Sequence, residues 1–455
     1  MRVGLVSAHG GASIGDDPGR LDGGGQPLTG TWQHIARLAA ELAELGHDVR
    51  VFQRWTEPDL PQLCQRDGYQ LVRVPVGPPA RLGTGDLVTH LPEFGRWLAR
   101  QWDDQTWTPD VVHGHFWPGG LAAASAVNHS GGVPLVQTFH SIGNHQLRQL
   151  GGDYRGPQAR IALERALSRV VDVAIAQCTE EVDEIARMGR DRASVVMIPP
   201  GVDTKRFAPA NDPPTRRRRR MLAVGELIPG AGHDDLIGAL RLVGDVDLLI
   251  AGGPGRADLD GDPGARRLRE LAGRCGVAEQ VELVGAVPAE EMPQLYRSVD
   301  VVVCASRYAP VGTVALEAMA CGIPVVGYAR GGVADCVVDA VTGRLVPAGD
   351  VRALGVTLRR LLADDAERFA YGHAAIDRVR CRYSWERTAA AVERLYQRVL
   401  GVRGVLVPTG SSPAVVTPDG DSVEPVEVEL DLVAIGAAEA AEAATAPAAT
   451  PVRAA

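Results

Sequence analysis

Residues 299–350 read "VDVVVCASRYAPVGTVALEAMACGIPVVGYARGGVADCVVDAVTGRLVPAGD". Three runs within it, "VDVVVCAS", "IPVVGYA" and "GRLVPAG", are short, apolar and rich in valine, with no polar alternation. They predict strands buried on both faces, as in a parallel sheet covered by helices. Between the first two, "APVGTVALEAMACG" is a loop that turns into a helix at about Gly312. Such a helix start offers free N–H groups with the dipole behind them, which suits an anionic group. Glu317 lies about one turn further in. A carboxylate there can accept hydrogen bonds from ligand hydroxyls, or it can cap the helix and face solvent. "ARGGVAD" supplies a second small-residue turn of the same kind.

The same alternation extends outward in both directions. "MLAVG", "VDLLIAGG" and "VELVGAV" complete a second α/β set over residues 221–383. The first set opens with "RVGLVSA", a glycine-rich loop from Gly10 to Gly30, the helical pattern "WQHIARLAAELAELG" and the strand "HDVRVFQR", which together read as a βαβ unit. It continues through "DVVHGH", "PLVQTFH", "VDVAIAQ" and "SVVMIPPGVD", and closes at about residue 206. The break "FAPANDPPTRRRRR" (Phe207 to Arg220) is proline-rich and polar, and reads as an interdomain linker. Its arginines precede a strand. They therefore lie at the opposite pole from the carboxyl ends where open parallel sheets bind ligands, roughly 15 Å away at ~3.3 Å per residue. A solvated face is the expectation there. "SWERTAAAVERLYQRVL" (384–400) is a closing helix. In residues 401–455, eight acidic residues stand against Arg403 and Arg453 in Ala- and Pro-rich text, so a disordered tail is expected.

Composition narrows the function classes. The chain has 455 residues, 45% hydrophobic and 23% charged, with a formal net charge of −9. Length and composition suit a soluble protein of two or three domains, and the charge argues against a general nucleic-acid binder. Seven cysteines occur singly, without a CxxC pair, so neither a zinc pattern nor a disulfide framework is expected. No apolar run approaches the length of a membrane helix, and "MRVGLVSAHGG" is too short for a signal peptide's hydrophobic core, so a cytoplasmic location is expected.

Several stretches carry a resemblance: "PDVVHGHFWPGGLAAASAV", "VPLVQTFHSIG", "RIALERAL", "IPPGVDTKRFAP" and Val314 to Asp350. Over residues 1 to about 400 the chain resembles the family 4 retaining glycosyltransferases, nearest the sucrose-phosphate-synthase-like and mycothiol-type bacterial members. That resemblance implies the GT-B fold: two Rossmann-like, doubly wound domains facing across a cleft, with the 384–400 helix crossing back to the first. It implies a nucleotide-sugar donor (UDP-, GDP- or ADP-linked), a small-molecule or glycan acceptor, and no cofactor or metal. Donor contacts are expected at Val311, Gly312, Thr313, Glu317, Gly225 and Gly232. His140, in "TFHSIG", is expected to help orient the transferred sugar. Gly30 and Thr31 fall at the acceptor side. Arg160 and Glu164, an i, i+4 pair, are either a surface salt bridge or an acceptor contact. For His115 and Trp117, strand-end packing is expected more than acceptor contact.

The chain departs from its family at the site. Relatives carry a Glu-x7-Glu pair whose first member falls at Ala309 here, so Glu317 stands alone. The arginine and lysine that clamp the diphosphate in relatives are replaced by Glu226 and Ala231. "GGGQ" (Gly23 to Gln26) lies upstream of where a glycine motif is expected, and the basic stretch after the histidine motif reads Gln146-Leu147-Arg148. Two lost charge-assisted hydrogen bonds cost roughly 3–6 kcal/mol, or about 10²–10⁴ in affinity. Arg307, Arg330, Arg256 and His233 are candidates for compensation. Three readings follow: an active transferase, a catalytically impaired relative that binds nucleotide or partners a paralogue or another copy of itself, and, less favoured by the helix motif, a nucleotide-sugar epimerase.

Overall fold

The computed structural model describes residues 1–8, 28–103, 106–154, 156–157, 159–210, 218–309 and 311–406. "GGGQ" and residues 407–455 lie outside the described residues.

The N-terminal domain runs β1 (Arg2–Ser7), α1 (Leu28–Glu44), β2 (Asp48–Arg54), β3 (Leu63–Arg66), β4 (Tyr69–Val74), α2 (Thr84–Leu87), α3 (Leu91–Asp103), β5 (Val111–His115), α4 (Phe116–Ser130), β6 (Leu135–Thr138), α5 (Gly143–Leu150), α6 (Arg160–Val170), β7 (Val173–Ala176), α7 (Thr179–Arg187) and β8 (Val195–Met197). Its sheet has the order β3-β4-β2-β1-β5-β6-β7-β8, with only the β3/β4 hairpin antiparallel. The hairpin escaped the sequence reading because its edge strand, "LCQR", alternates exposed and half-buried residues and lacks an apolar run.

The C-terminal domain runs β9 (Arg219–Val224), α8 (His233–Val243), β10 (Val246–Ala251), α9 (Pro263–Cys275), β11 (Val281–Gly285), α10 (Met292–Arg297), β12 (Val301–Cys304), α11 (Thr313–Ala320), β13 (Val325–Tyr328), α12 (Gly331–Cys336), β14 (Gly343–Val346), α13 (Val351–Ala363) and α14 (Asp365–Arg382), followed by α15 (Trp385–Leu406). Its all-parallel order, β11-β10-β9-β12-β13-β14, is that of a doubly wound dinucleotide fold. The connections reverse direction between β9 and β12. The loops leaving the carboxyl ends of those two strands, residues 225–232 and 305–309 with 311–312, therefore face each other. The corresponding point in the first domain lies between β1 and β5.

Four boundaries differ from expectation. Phe207, read as linker, is 5% exposed and packs with Leu222 and Tyr296 in the second core. Strand β9 already begins at Arg219, where Arg219 pairs with Asp300 at 2.9 Å and Arg218 with Asp247 at 3.0 Å. The described arginines of the run are thus held by carboxylates at the amino end of the sheet, the pole expected for a solvated face. Helix α15 continues through Leu406, so the first residues of the expected tail are helical. Helix α1 starts at Leu28, which puts Gly30 and Thr31 in its first turn and not in the preceding loop.

Helix α15 returns to the N-terminal domain. Val392, Leu395, Tyr396 and Val399, spaced as one helical face, join Val3, Leu5, Ile35 and Leu38 in a single core. Val202 N donates to Tyr383 O at 2.7 Å where the chain crosses over. Leu395→Ala removes buried methyls from that shared core. It should lower the stability of the N-terminal domain by about 2–5 kcal/mol, read as an earlier unfolding transition in urea followed by N-domain tryptophan fluorescence.

Candidate functional site

On the C-terminal side the site is built from backbone. Gly312 is the N-cap of α11 at φ +74°, and no side chain caps the helix. A side chain is excluded there, because a Cβ would lie 2.7 Å from Gly332 C. The first intrahelical bond runs from Leu316 N to Gly312 O at 3.1 Å, so the amides of Thr313, Val314 and Ala315 are free of i−4 partners. The α8 start is similar: Gly232 is its N-cap at φ +90°, and a Cβ there would collide with Ala305 O. Gly225, at the end of β9, donates to Ala251 O at 2.9 Å. The predicted residues Val311, Gly312, Thr313, Gly225 and Gly232 thus converge at the switch point between β9 and β12.

Glu317 neither caps the helix nor is simply solvated. Tyr296 OH donates to its Oε2 at 2.7 Å, and burial raises its pKa to about 7 against the opposing pull of Tyr296 and Arg206. Tyr296, on α10, was invisible to motif reading because its role depends on a tertiary contact. Two of the four compensation candidates fall away. His233 is 1% exposed, with Nε2 3.1 Å from Glu226 O, and Arg256 sits at an exposed edge with Glu282 at 3.5 Å.

On the N-terminal side, His140 lies two residues beyond β6 at φ +60°, a strained conformation for a residue with a Cβ, costing of order 1–3 kcal/mol. It joins a floor of imidazoles. His140 Nε2 is 3.0 Å from His115 Nδ1, His140 Nδ1 is 3.2 Å from Gln177 Oε1, and the His34 ring is 4.9 Å from that of His140. His113 lies behind them, between Thr138 and the Tyr396 hydroxyl of α15. Burial lowers His34 to about 4 and His113 to about 3, and holds His115 and His140 well below the usual imidazole value. All four are neutral at pH 7. With Gln177 accepting from His140 Nδ1–H, His140 Nε2 accepts from His115 Nδ1–H, which leaves the His115 Nε2 lone pair buried without a partner. His34, His115 and His140 each offer a nitrogen within 4.8 Å of the others, so this is the cluster of described residues with the donors to hold a metal ion. His34 and Gln177 were missed in the sequence because both stand outside the stretches that carry the family resemblance. Trp117 is fully buried in packing.

Arg160 and Glu164 are not a surface pair. They are 1% and 0% exposed and bonded at 2.6 Å through Nε. The guanidinium also donates to Gln146 Oε1 at 2.8 Å and to Ser141 Oγ at 2.8 Å, while Glu164 Oε2 takes the Gly143 N–H at 2.7 Å. Arg160 therefore organises the loop that follows His140, and its capacity for an acceptor is largely spent. A second buried carboxyl, Glu181, is raised by burial to about 7 and accepts from Gln177 N at 2.7 Å.

The two halves touch. Ile142 N donates to Tyr308 OH at 3.1 Å, and the Tyr308 ring lies edge-on to His145 at 5.0 Å. Thr179, at the start of α7, gives its N–H to Asp335 of α12 at 2.6 Å.

Comparison with known proteins agrees with this architecture. A family model described as "Glycosyl transferases group 1" matches residues 205–378, and one described as "Glycosyl transferase 4-like domain" matches residues 29–201. The chain is similar to the D-inositol 3-phosphate glycosyltransferase of Xylanimonas cellulosilytica, at 34% identity over 87% of this chain and 96% of that protein. The protein of the same name from Salinispora arenicola is 32% identical over 89% of this chain and 93% of its own length. Among solved structures, a sucrose-phosphate synthase from Thermosynechococcus elongatus superposes with a TM-score of 0.77 at 25% identity, covering 88% of this chain and all (100%) of that one. An Anabaena protein in complex with UDP and glucose shares the fold at a TM-score of 0.66 and 17% identity, over 88% of this chain and 100% of its own.

Arg160→Met strands a buried carboxylate and should cost about 3–5 kcal/mol at neutral pH. The deficit should shrink as pH falls, because a protonated Glu164 needs no counter-charge. Urea unfolding at several pH values measures both effects.

Proposed function

The chain belongs to the group 1 glycosyl transferases, family 4, with the GT-B fold, and from that premise we propose that it transfers a sugar from a nucleotide diphosphate donor to an acceptor hydroxyl with retention of configuration. The observation that carries this reading is the uncapped start of α11 at Gly312, with Glu317 one turn inside it. The leaving diphosphate binds the free amides of that start, where the helix dipole offsets the negative charge that grows as the glycosidic bond breaks. Glu317 accepts hydrogen bonds from ribose hydroxyls with the carboxylate oxygen that Tyr296 leaves open. The sugar lies between the helix start and His140, whose carbonyl and imidazole orient it. A leaving-group oxygen takes the acceptor proton, so attack comes from the face the diphosphate leaves, and configuration is retained. No step requires a metal. The names of the relatives make a polyol hydroxyl, as in inositol or its phosphate, the first acceptor class to test.

A second reading, a relative that binds nucleotide without turning it over or that partners a paralogous or identical chain, is favoured by Glu226, Ala231 and Ala309 at three positions where the family carries charged donor contacts. Calorimetric titration with UDP, GDP and ADP, then donor-hydrolysis and transfer assays, separates the two. Heat with one diphosphate nucleotide and sugar transfer is the expected result. Binding without turnover on a broad acceptor panel favours the second reading, and no heat with any of the three removes the transferase reading. No helix among the described residues is long and apolar enough to cross a membrane.

Because burial raises the Glu317 pKa to about 7, nucleotide affinity should weaken as pH drops from 8 to 6, since a protonated carboxyl accepts hydroxyl hydrogen bonds poorly. Glu317→Gln should abolish that slope and lower affinity at pH 8 by about 10-fold or more, the loss of one or two hydrogen bonds to a charged group.

A further inference from the structure

The donor reading needs positive charge near the start of α11, and the two positions where relatives carry it hold Glu226 and Ala231. Two arginines from other loops close on the same place. Residues 305–307 lie directly on the loop between β9 and α8. Arg307 N donates to Gly230 O at 2.9 Å, Ser306 Oγ lies 3.3 Å from the same carbonyl, and Gly232 abuts Ala305. Arg307 therefore stands beside Ala231. Its exposed guanidinium has no hydrogen-bond or ion-pair partner among the described residues, and its charge reaches Tyr328.

On the opposite flank, Arg330 is the N-cap of α12. Gly332 N donates to Ala309 O at 2.9 Å, and a Cβ on Gly332 would strike Val311. The turn that carries Arg330 is thus packed on the segment that opens α11. The Arg330 Nε–H is buried with no hydrogen-bond partner. Glu180, across the cleft, feels the Arg330 charge; its Oε2 lies 3.3 Å from His145 Nε2, and its carboxylate does not take that N–H. Leaving a buried donor on a charged group unpaired is costly, and an anionic oxygen at the α11 start would relieve it.

We infer that Arg307 and Arg330 are the diphosphate-binding cations of this chain, gripping the donor from the two flanks of Gly312 in place of the family's arginine and lysine. The inference rests on the donor reading above. Its chemistry is a bond from each guanidinium to a non-bridging phosphate oxygen, so Arg307 and Arg330 carry the charge that Glu226 and Ala231 do not.

The test is calorimetric titration of the full chain and of Arg307→Gln, Arg330→Gln, Arg330→Lys and Arg256→Gln with UDP, GDP and ADP and with the matching monophosphates. We expect each Gln variant to weaken the preferred diphosphate 10- to 100-fold and the monophosphate much less. Arg330→Lys should recover part of the loss, and Arg256→Gln should match the parent. A selective loss for the diphosphate supports direct contact, because a merely structural defect would weaken both nucleotides alike. If the parent binds a diphosphate and Arg307→Gln and Arg330→Gln bind it within twofold, the assignment of these cations is wrong while the donor reading stands. If the parent binds no diphosphate, the donor reading falls and this inference with it.

Discussion

Gly312 and Gly332 meet backbone to backbone, and much of the C-terminal site follows from that contact. Neither position tolerates a side chain, because a Cβ on either would run into the main chain of the other turn. The contact brings the β12–α11 loop and the β13–α12 turn together. It also keeps the α11 start clear of any capping side chain, since Gly312 has none to give. Three amides and a helix dipole are left facing the cleft, an arrangement that attracts anions whatever cations surround it. The doubly wound order places this spot at the carboxyl ends of β9 and β12, where the connections diverge and leave a crevice.

The N-terminal half achieves rigidity by the opposite means, a buried polar network. Arg160 ties Glu164, Gln146 and Ser141 into one unit, and Glu164 passes the constraint to Gly143. That unit holds the chain just after His140, whose positive φ would not persist without such support. The neutral imidazoles beneath it are ordered by the Gln177 amide on one side and by Tyr396 of α15 on the other. The returning helix therefore does more than close the core: it reaches the floor of the site. Tyr308 and Asp335 complete the arrangement by bonding across the cleft, so that each domain contributes to the geometry of the other.

Charge at the site is redistributed. In family terms the positions that should be basic carry a carboxylate and a methyl group, which in isolation suggests a weakened pocket. The loop that opens α11 and the turn that opens α12 meet at the same helix start, and each presents an arginine without a carboxylate partner bonded to it. A phosphate responds to the local field and not to the order in which residues occur along the chain. On the inference that Arg307 and Arg330 bind the diphosphate, position-by-position comparison overstates the loss.

Much of the fold was legible in the sequence because it rests on local signals. Unbroken valine-rich runs mark parallel strands, glycines mark the turns at their carboxyl ends, and the motif from Val314 to Asp350 marks the family. The loop-to-helix junction at Gly312 was readable for the same reason. The β3/β4 hairpin was not, having no apolar run, and the ends of α1 and α15 were misplaced by a few residues because glycine there suggested loop. The composition of the site lay beyond local reading. That Arg160 and Glu164 are buried, that Tyr296 holds Glu317, that His34 joins His115 and His140, and that the turns carrying Arg307 and Arg330 meet at one helix start depend on tertiary packing and not on local pattern. Residue type and spacing determined the two sheets and the helix start between them. Burial and partnership, which set the protonation and charge that binding requires, were decided only when the chain packed.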